Sequence, residues 1–313
     1  MKVKNVLNLG SKFFVFLLVI LLVSSCSSNS TDSTSDGKNK KQILEIKGSD
    51  TLLQVVSNLA ETFAKENDAR ISVTGGGSGT GIASLLNGEI KIADSSRPIK
   101  EQELKAAKDK NLDILEFIIG RDMLSVAVNE NNPVNQLTID QVSKIYKGEI
   151  TNWKDLGGLD QKITLYGRQS TSGTYVFFLE EVVKGEYSPS MRNLEGSQAI
   201  IEAVRQDKTG IGYDGLGYVS KDGKSLNGIK LISVAKDKNS EFISPLDDAK
   251  ISKYALSRPL YQYTVGITKG SEMYDFLSFE LSEQGQDIVK DSGFEKISRE
   301  DSEKNKIALE KIK

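Results

Sequence analysis

The sequence predicts an α/β fold with largely parallel sheets. Three observations carry this. Short apolar runs with strand character recur along the chain, runs of helical periodicity separate them, and the turns from strand to helix repeat small, hydroxyl-bearing residues.

Residues 43–47 (ILEIK) alternate as a strand, and Gly48-Ser49-Asp50-Thr51 breaks it. Val55, Val56, Leu59, Ala60 and Phe63 then recur at helical spacing, with Asp50 and Thr51 where N-caps belong. A strand at 71–73 leads through a glycine-rich turn (75–81) to a short helix, 82–86. Residues 90–93 form a strand, 94–98 a turn and 101–110 a polar helix. Two strands are expected at 114–119 and 124–128. Helix 139–146, strand 163–166, helices 174–183 and 198–205, and strands 211–213 and 229–232 follow. Strand 262–267, helix 272–281 and a charged helical tail from 298 to 313 end the chain, with no internal repeat.

Composition removes whole classes of chemistry. The 313 residues suit one large or two medium domains, and 38% apolar residues suffice for a sizeable core. With 41 Lys+Arg against 43 Asp+Glu, the net charge of −2 gives no basic excess for nucleic acid. The chain has no histidine, which excludes a Ser-His-Asp triad, histidine metal sites and histidine general bases. One cysteine excludes a disulfide framework. No cofactor or metal is expected.

The first residues read as an address. Lys2, Lys4 and Lys12 precede an apolar run at 13–23, which is too short for a hydrocarbon core needing roughly 20 residues. Val23-Ser24-Ser25-Cys26 resembles a bacterial lipobox, with Ser25 before the cut and Cys26 as the lipidated first residue. Residues 27–41 carry no apolar side chain and read as a flexible tether. The expectation is a lipoprotein anchored outside the cytoplasm, on a cell membrane or in a periplasm.

Three strand-to-helix turns share one chemistry: Gly48 to Thr51, Gly76 to Gly81, and Arg168-Gln169-Ser170-Thr171-Ser172-Gly173-Thr174. Each sets hydroxyls and glycine at a helix start, where N–H groups lack internal partners and the dipole end is positive. Such turns suit an oxyanion. The P-loop motif fails, because Ile82 stands where it needs lysine. Gly77-Ser78-Gly79 is not a nucleophile elbow either. The loops look made to hold an oxyanion without transforming it.

Several motifs in one order then carry a family resemblance: Gly48-Ser49-Asp50-Thr51, GGGSGTG at 75–81, Ser95-Ser96-Arg97-Pro98, YKGEITNWKDL at 146–156, RQSTSGT at 168–174, Gly210-Ile211-Gly212-Tyr213, and Leu256-Ser257-Arg258-Pro259-Leu260-Tyr261. Over about residues 44–294 the chain resembles the PstS-type phosphate-binding proteins, extracytoplasmic receptors of bacterial phosphate ABC transporters. The resemblance implies a periplasmic-binding-protein fold, two α/β lobes with a ligand cleft between them and two hinge crossings. These are expected near 117–123 and 256–261. The implied division is a signal peptide at 1–25, a tether at 26–41, a first lobe of 42–120 with 258–313, and a second lobe of 121–257. Inorganic phosphate and ABC permease subunits are the implied partners of a monomeric, non-enzymatic receptor; nucleic acid is not.

Carried over position by position, the resemblance implies phosphate contacts from Asp50, Thr51, Ser78, Ser96, Arg97, Arg168, Ser172, Gly173 and Thr174. The pattern departs at two points. Some members have an aspartate at the position of Ser96, which accepts the phosphate proton, and an acid at the position of Ser170. Asp50, the acid nearest a matched position, is the expected replacement acceptor; the alternative is a plain N-cap. An acceptor matters because phosphate near neutral pH carries a hydroxyl and sulfate carries none, a difference worth about 10⁴ or more in favourable sites.

Other residues keep two readings at this point. Arg97 is either a phosphate contact or a brace for its loop. Arg258 reaches ligand or Asp94, or else forms a hinge pair. Trp153 reads as packing, with a place in the cleft as the alternative. Residues 302–313 read as a solvated helix, with a docking surface as the alternative. Receptors for sulfate, molybdate or a phosphonate, and an adhesin or sensor lipoprotein on the same scaffold, are the competing functions.

Overall fold

The computed structural model describes residues 42–312; the leader, the tether and Cys26 lie outside them. The first elements are β1 (Leu44–Gly48), α1 (Asp50–Asn67), β2 (Ile71–Thr74), α2 (Ser78–Leu86), β3 (Ile92–Ser95) and α3 (Glu101–Asp109). The long β4 (Ile114–Asn129) follows, then β5 (Gln136–Thr138), α4 (Ile139–Lys147), β6 (Thr164–Arg168) and α5 (Gly173–Phe178). Next are β7 (Arg192–Leu194), α6 (Ser197–Gln206), β8 (Gly210–Gly215), α7 (Leu216–Val219), β9 (Ser220–Lys221) and β10 (Lys224–Ser225). The chain closes with β11 (Ile229–Leu231), β12 (Ser233–Ala235), β13 (Ser257–Val265), α8 (Glu272–Glu280), α9 (Glu283–Asp291) and α10 (Arg299–Glu310).

β4 joins two half-sheets. Its first part pairs antiparallel with β13, which pairs with β3, while β3, β1 and β2 run parallel. From Leu124 onward it pairs antiparallel with β8 and then β11, and β8 leads by parallel pairing to β6 and β7. The first half-sheet thus combines strands from both ends of the described residues, and the second strands from their middle. The parallel strands of each end at a turn facing the other lobe, where ligands of open α/β sheets bind.

Each lobe has its own apolar core. Leu52, Val56, Phe117 and Phe276 are buried together in the first, beside a smaller group around Ile82, Ala93 and Tyr263. In the second, Val126, Tyr146, Phe178 and Tyr213 are buried in one core with Trp153, whose indole N–H donates to Thr209 O at 3.0 Å. Trp153 therefore packs and does not line the cleft. Burying such aromatics contributes about 1.5–3 kcal/mol each relative to exposure.

The structure corrects several expectations. The strands expected at 114–119 and 124–128 are one strand, because Arg121 and Asp122, which interrupt the apolar pattern, are paired rather than solvated. α1 starts at Asp50 with Ser49 in the N-cap position, so neither Asp50 nor Thr51 is the cap. α2 starts at Ser78, since the glycines that looked like loop tolerate a helical turn. Residues 179–183 leave α-geometry for a π-turn. The tail is no free solvated helix: the Asn305 side chain takes both the N–H (2.8 Å) and the C=O (2.7 Å) of Ile118, and Asp301 pairs with Arg121 at 2.7 Å. Its polar inward face hid this docking.

Candidate anion-binding site between the lobes

The first turn is forced by contact. Gly48 has φ +148°, and a Cβ there would lie 2.2 Å from Asp94 O, so glycine is required. Ser49 N–H donates to that carbonyl at 2.9 Å, and its hydroxyl donates to Ser96 Oγ at 3.0 Å. In the second turn Gly76 and Gly77 carry φ of +114° and +95° and swing the chain so that Ser78 starts α2 inside the cleft. Ser78 Oγ accepts Ser96 N–H at 3.1 Å.

The third turn belongs to the second lobe. Ser172 caps α5 by accepting Tyr175 N–H at 3.3 Å, and Thr171 O accepts Gly79 N–H across the cleft at 3.0 Å. A Cβ on Gly173 would sit 2.3 Å from Ser78 Oγ and 2.7 Å from Ser96 Oγ. Thr174 Oγ1 lies 2.9 Å from Thr51 Oγ1 and 3.5 Å from Ser96 Oγ. Hydroxyls of both lobes thus converge, all buried. A hydroxyl both donates and accepts, so the cluster satisfies itself and equally suits an oxyanion.

Three arginines surround the cluster, and each faces a carboxylate. Arg168 reaches Asp50 Oδ2 of the other lobe at 2.6 Å, Ser197 Oγ at 2.8 Å and Asp214 Oδ2 at 3.4 Å. Burial pushes the Asp214 carboxyl above the usual range, with Arg168 opposing the shift. Arg258 donates twice to Asp122 Oδ2 (3.0 and 2.7 Å), to Ser96 O at 3.1 Å and to Thr174 Oγ1 at 3.0 Å. Arg97 locks its fork on Glu103 at 2.8 and 2.7 Å and on Pro98 O, leaving Nε unpartnered. With each guanidinium paired, an anion meets neutral donors first and must share Arg168 with its carboxylates.

Of the expected residues, Thr51, Ser78, Ser96, Gly173 and Thr174 come together directly. Asp50 and Arg168 stand beside them as an interlobe pair, and Asp50 Oδ1 accepts Gly76 N–H at 2.9 Å. Ser172 is turned to its own helix and Arg97 to its brace. Sequence reasoning missed Asp122, Ser197 and Asp214, and it quoted Ser49 within its turn without naming it as a contact. Two signals were present: Asp122 interrupts the apolar run 117–128, and Asp214 directly follows the quoted Gly210–Tyr213 stretch.

A PBP superfamily domain matches residues 28–284. The phosphate-binding protein PstS of Staphylococcus epidermidis is 34% identical over 281 residues, 88% of this chain and 84% of that protein. The chain belongs to the PstS-type family. PstS of Staphylococcus aureus is likewise 34% identical, over 282 residues. Among solved structures, a Clostridium perfringens substrate-binding protein with bound phosphate superposes at TM-score 0.70, with 29% identity over 82% of this chain and all of that one. An ABC-type phosphate transport receptor from Vibrio cholerae gives 0.64 with 26% identity over 81% of this chain and all of that one. The two-lobe fold of the PstS family is the fold described above.

Proposed function

We propose that this protein is an extracytoplasmic receptor, lipid-anchored at Cys26, that binds inorganic phosphate between its lobes and delivers it to an ABC permease. One observation carries the reading: buried hydroxyls from four turns, three in one lobe and one in the other, converge, each within 3.5 Å of another, beside Arg168 and Arg258. PstS relatives and a phosphate-bound neighbour support it.

In this mechanism, Ser49, Thr51, Ser78, Ser96 and Thr174 exchange their mutual hydrogen bonds for bonds to phosphate oxygens. Glycine at 173 lets backbone N–H groups approach, and Arg168 supplies the charge-assisted bond. Asp50 accepts the phosphate hydroxyl. It keeps partial exposure to the cleft at 12%, whereas Asp122 and Asp214 are fully buried, each paired with an arginine. Residues 42–120 with 258–313 move against 121–257, and the closed form is what a permease reads. The protein works by binding and release.

Isothermal titration of the protein, stripped of bound anion, tests this reading. Phosphate should bind near micromolar or tighter and sulfate not at all. Equal binding of both would reduce the claim to a general oxyanion receptor, and silence from both would remove it.

A further inference from the structure

The lobes meet a second time, beside the hydroxyl cluster, on the four-residue helix α7. Leu216 N–H donates to Asp122 Oδ1 at 3.0 Å, which seats the helix on the crossing strand. The next two residues both reach the first lobe. Tyr218 donates its hydroxyl to Asp50 O at 2.6 Å, directly behind the site. Gly217 lies against the turn after α9: a Cβ on it would be 2.7 Å from Ser292 O and 2.8 Å from the Phe294 ring. In return, a Cβ on Gly293 would lie 2.9 Å from Gly217 Cα.

That turn is firmly held. Arg121 and Glu295 exchange backbone hydrogen bonds at 2.8 Å each, Asn58 donates to Ser292 Oγ at 3.1 Å, and Phe294 is buried. Gly217 itself has helical backbone and no positive φ, so local conformation does not demand glycine there. The neighbouring lobe does. Repulsion below van der Waals contact is steep, so a methyl at 217 has no room against the 292–294 turn, and the glycine there marks the end of an approach. The contact faces the cleft, because Tyr218 meets Asp50 and a Cβ on Gly215 would lie 3.0 Å from Thr51.

We propose that α7 is the closure stop of the receptor: Gly217 sets how far the lobes come together and Tyr218 holds them there. The inference rests on the phosphate reading for its ligand but not for its geometry. A methyl at 217 keeps α7 off the 292–294 turn, and the small rotation it forces near the hinge widens across the cleft. Hydroxyl pairs now at 2.9–3.5 Å are then pulled out of range.

The test compares the wild-type full chain with Gly217→Ala and Tyr218→Phe. Phosphate titration should show affinity falling at least tenfold for Gly217→Ala, through faster release, and a few-fold for Tyr218→Phe. Ligand-free thermal melting should stay close to wild type. Adding Phe294→Leu to Gly217→Ala removes ring atoms that the methyl meets and should restore part of the affinity. Independently, spin labels at Lys105→Cys and Lys154→Cys in a Cys26→Ser background report the lobe separation, whose shortest component Gly217→Ala should lose. Binding within twofold of wild type by both variants, with that component retained, overturns the stop. If wild type takes no phosphate, the ligand reading falls and the label distances still decide the stop. If Gly217→Ala does not fold, Tyr218→Phe decides it.

Discussion

Arg258 and Asp122 stand opposite each other on the two strands that join the lobes, and their ion pair is completely buried. The same guanidinium touches a carbonyl of one binding turn and a hydroxyl of the other, Ser96 O and Thr174 Oγ1. The hinge and the site therefore share one cation. A buried pair of this kind is weak evidence for stability, because desolvation offsets most of its attraction. Removing one partner is another matter, since the remaining charge is stranded.

Arg258→Met should accordingly destabilise the protein by about 3–5 kcal/mol. Adding Asp122→Leu should recover much of that loss while leaving phosphate binding impaired. Urea unfolding of the single and double variants, with phosphate titration of the double, checks both statements. A double variant no more stable than the single would show that shape, not stranded charge, dominates.

Asp50→Asn should weaken phosphate binding and narrow the gap between phosphate and sulfate, because an amide accepts the ligand proton poorly. The comparison is made by titrating both anions into both proteins. An unchanged gap would assign Asp50 to bracing Arg168 alone.

Stability should fall with rising pH through a group outside the site. Asp94 is buried beside Gln262 and Glu280, and burial pushes its carboxyl up to about 7. Glu280 is also raised, by burial first and by Asp94 second. In the unfolded chain Asp94 ionises near its ordinary value of 3.8. Between there and about 7 the folded state holds the extra proton. This contribution to stability is thus complete at low pH and is lost as pH rises through that window, with a slope approaching about 1.4 kcal/mol per pH unit. Asp94→Asn should flatten the decline between pH 5 and pH 7 in denaturant midpoints. A decline as steep in the variant would place the responsible proton elsewhere.

Asn305→Ala leaves the N–H and C=O of Ile118 buried without partners, each costing about 1–3 kcal/mol. A loss of about 2–6 kcal/mol in urea is expected. A loss below about 0.5 kcal/mol, typical of an exposed position, would restore the view of α10 as a free tail.

The lobes' alternation of strand and helix was legible because periodicity reports which face is buried, and each lobe buries one face of its helices. The three turns were legible for a related reason: glycine and hydroxyls before a helix are ordinary caps singly, but three such turns, one with an arginine, form a pattern. What stayed hidden depends on distant partners. Nothing near Asp122 announces Arg258, more than a hundred residues away, and nothing in the tail announces that Asn305 serves the backbone of Ile118. The same limit made Arg97 ambiguous, since its distinction lies in whether Glu103, six residues on, turns toward it. Helix starts were misplaced by a residue or more because glycine and serine are equally at home in loops.

The uninterrupted course of β4 has one more consequence. As one strand it pairs in the first half-sheet and then in the second, with one bulge opposite Leu260 and Tyr261, so neither lobe owns a complete set of edges without the other. The receptor is then one cooperative folding unit despite its two cores, and heat should melt it in a single transition. Neither half would survive alone as a stable fragment, which ties the integrity of the jaw to the integrity of its axle.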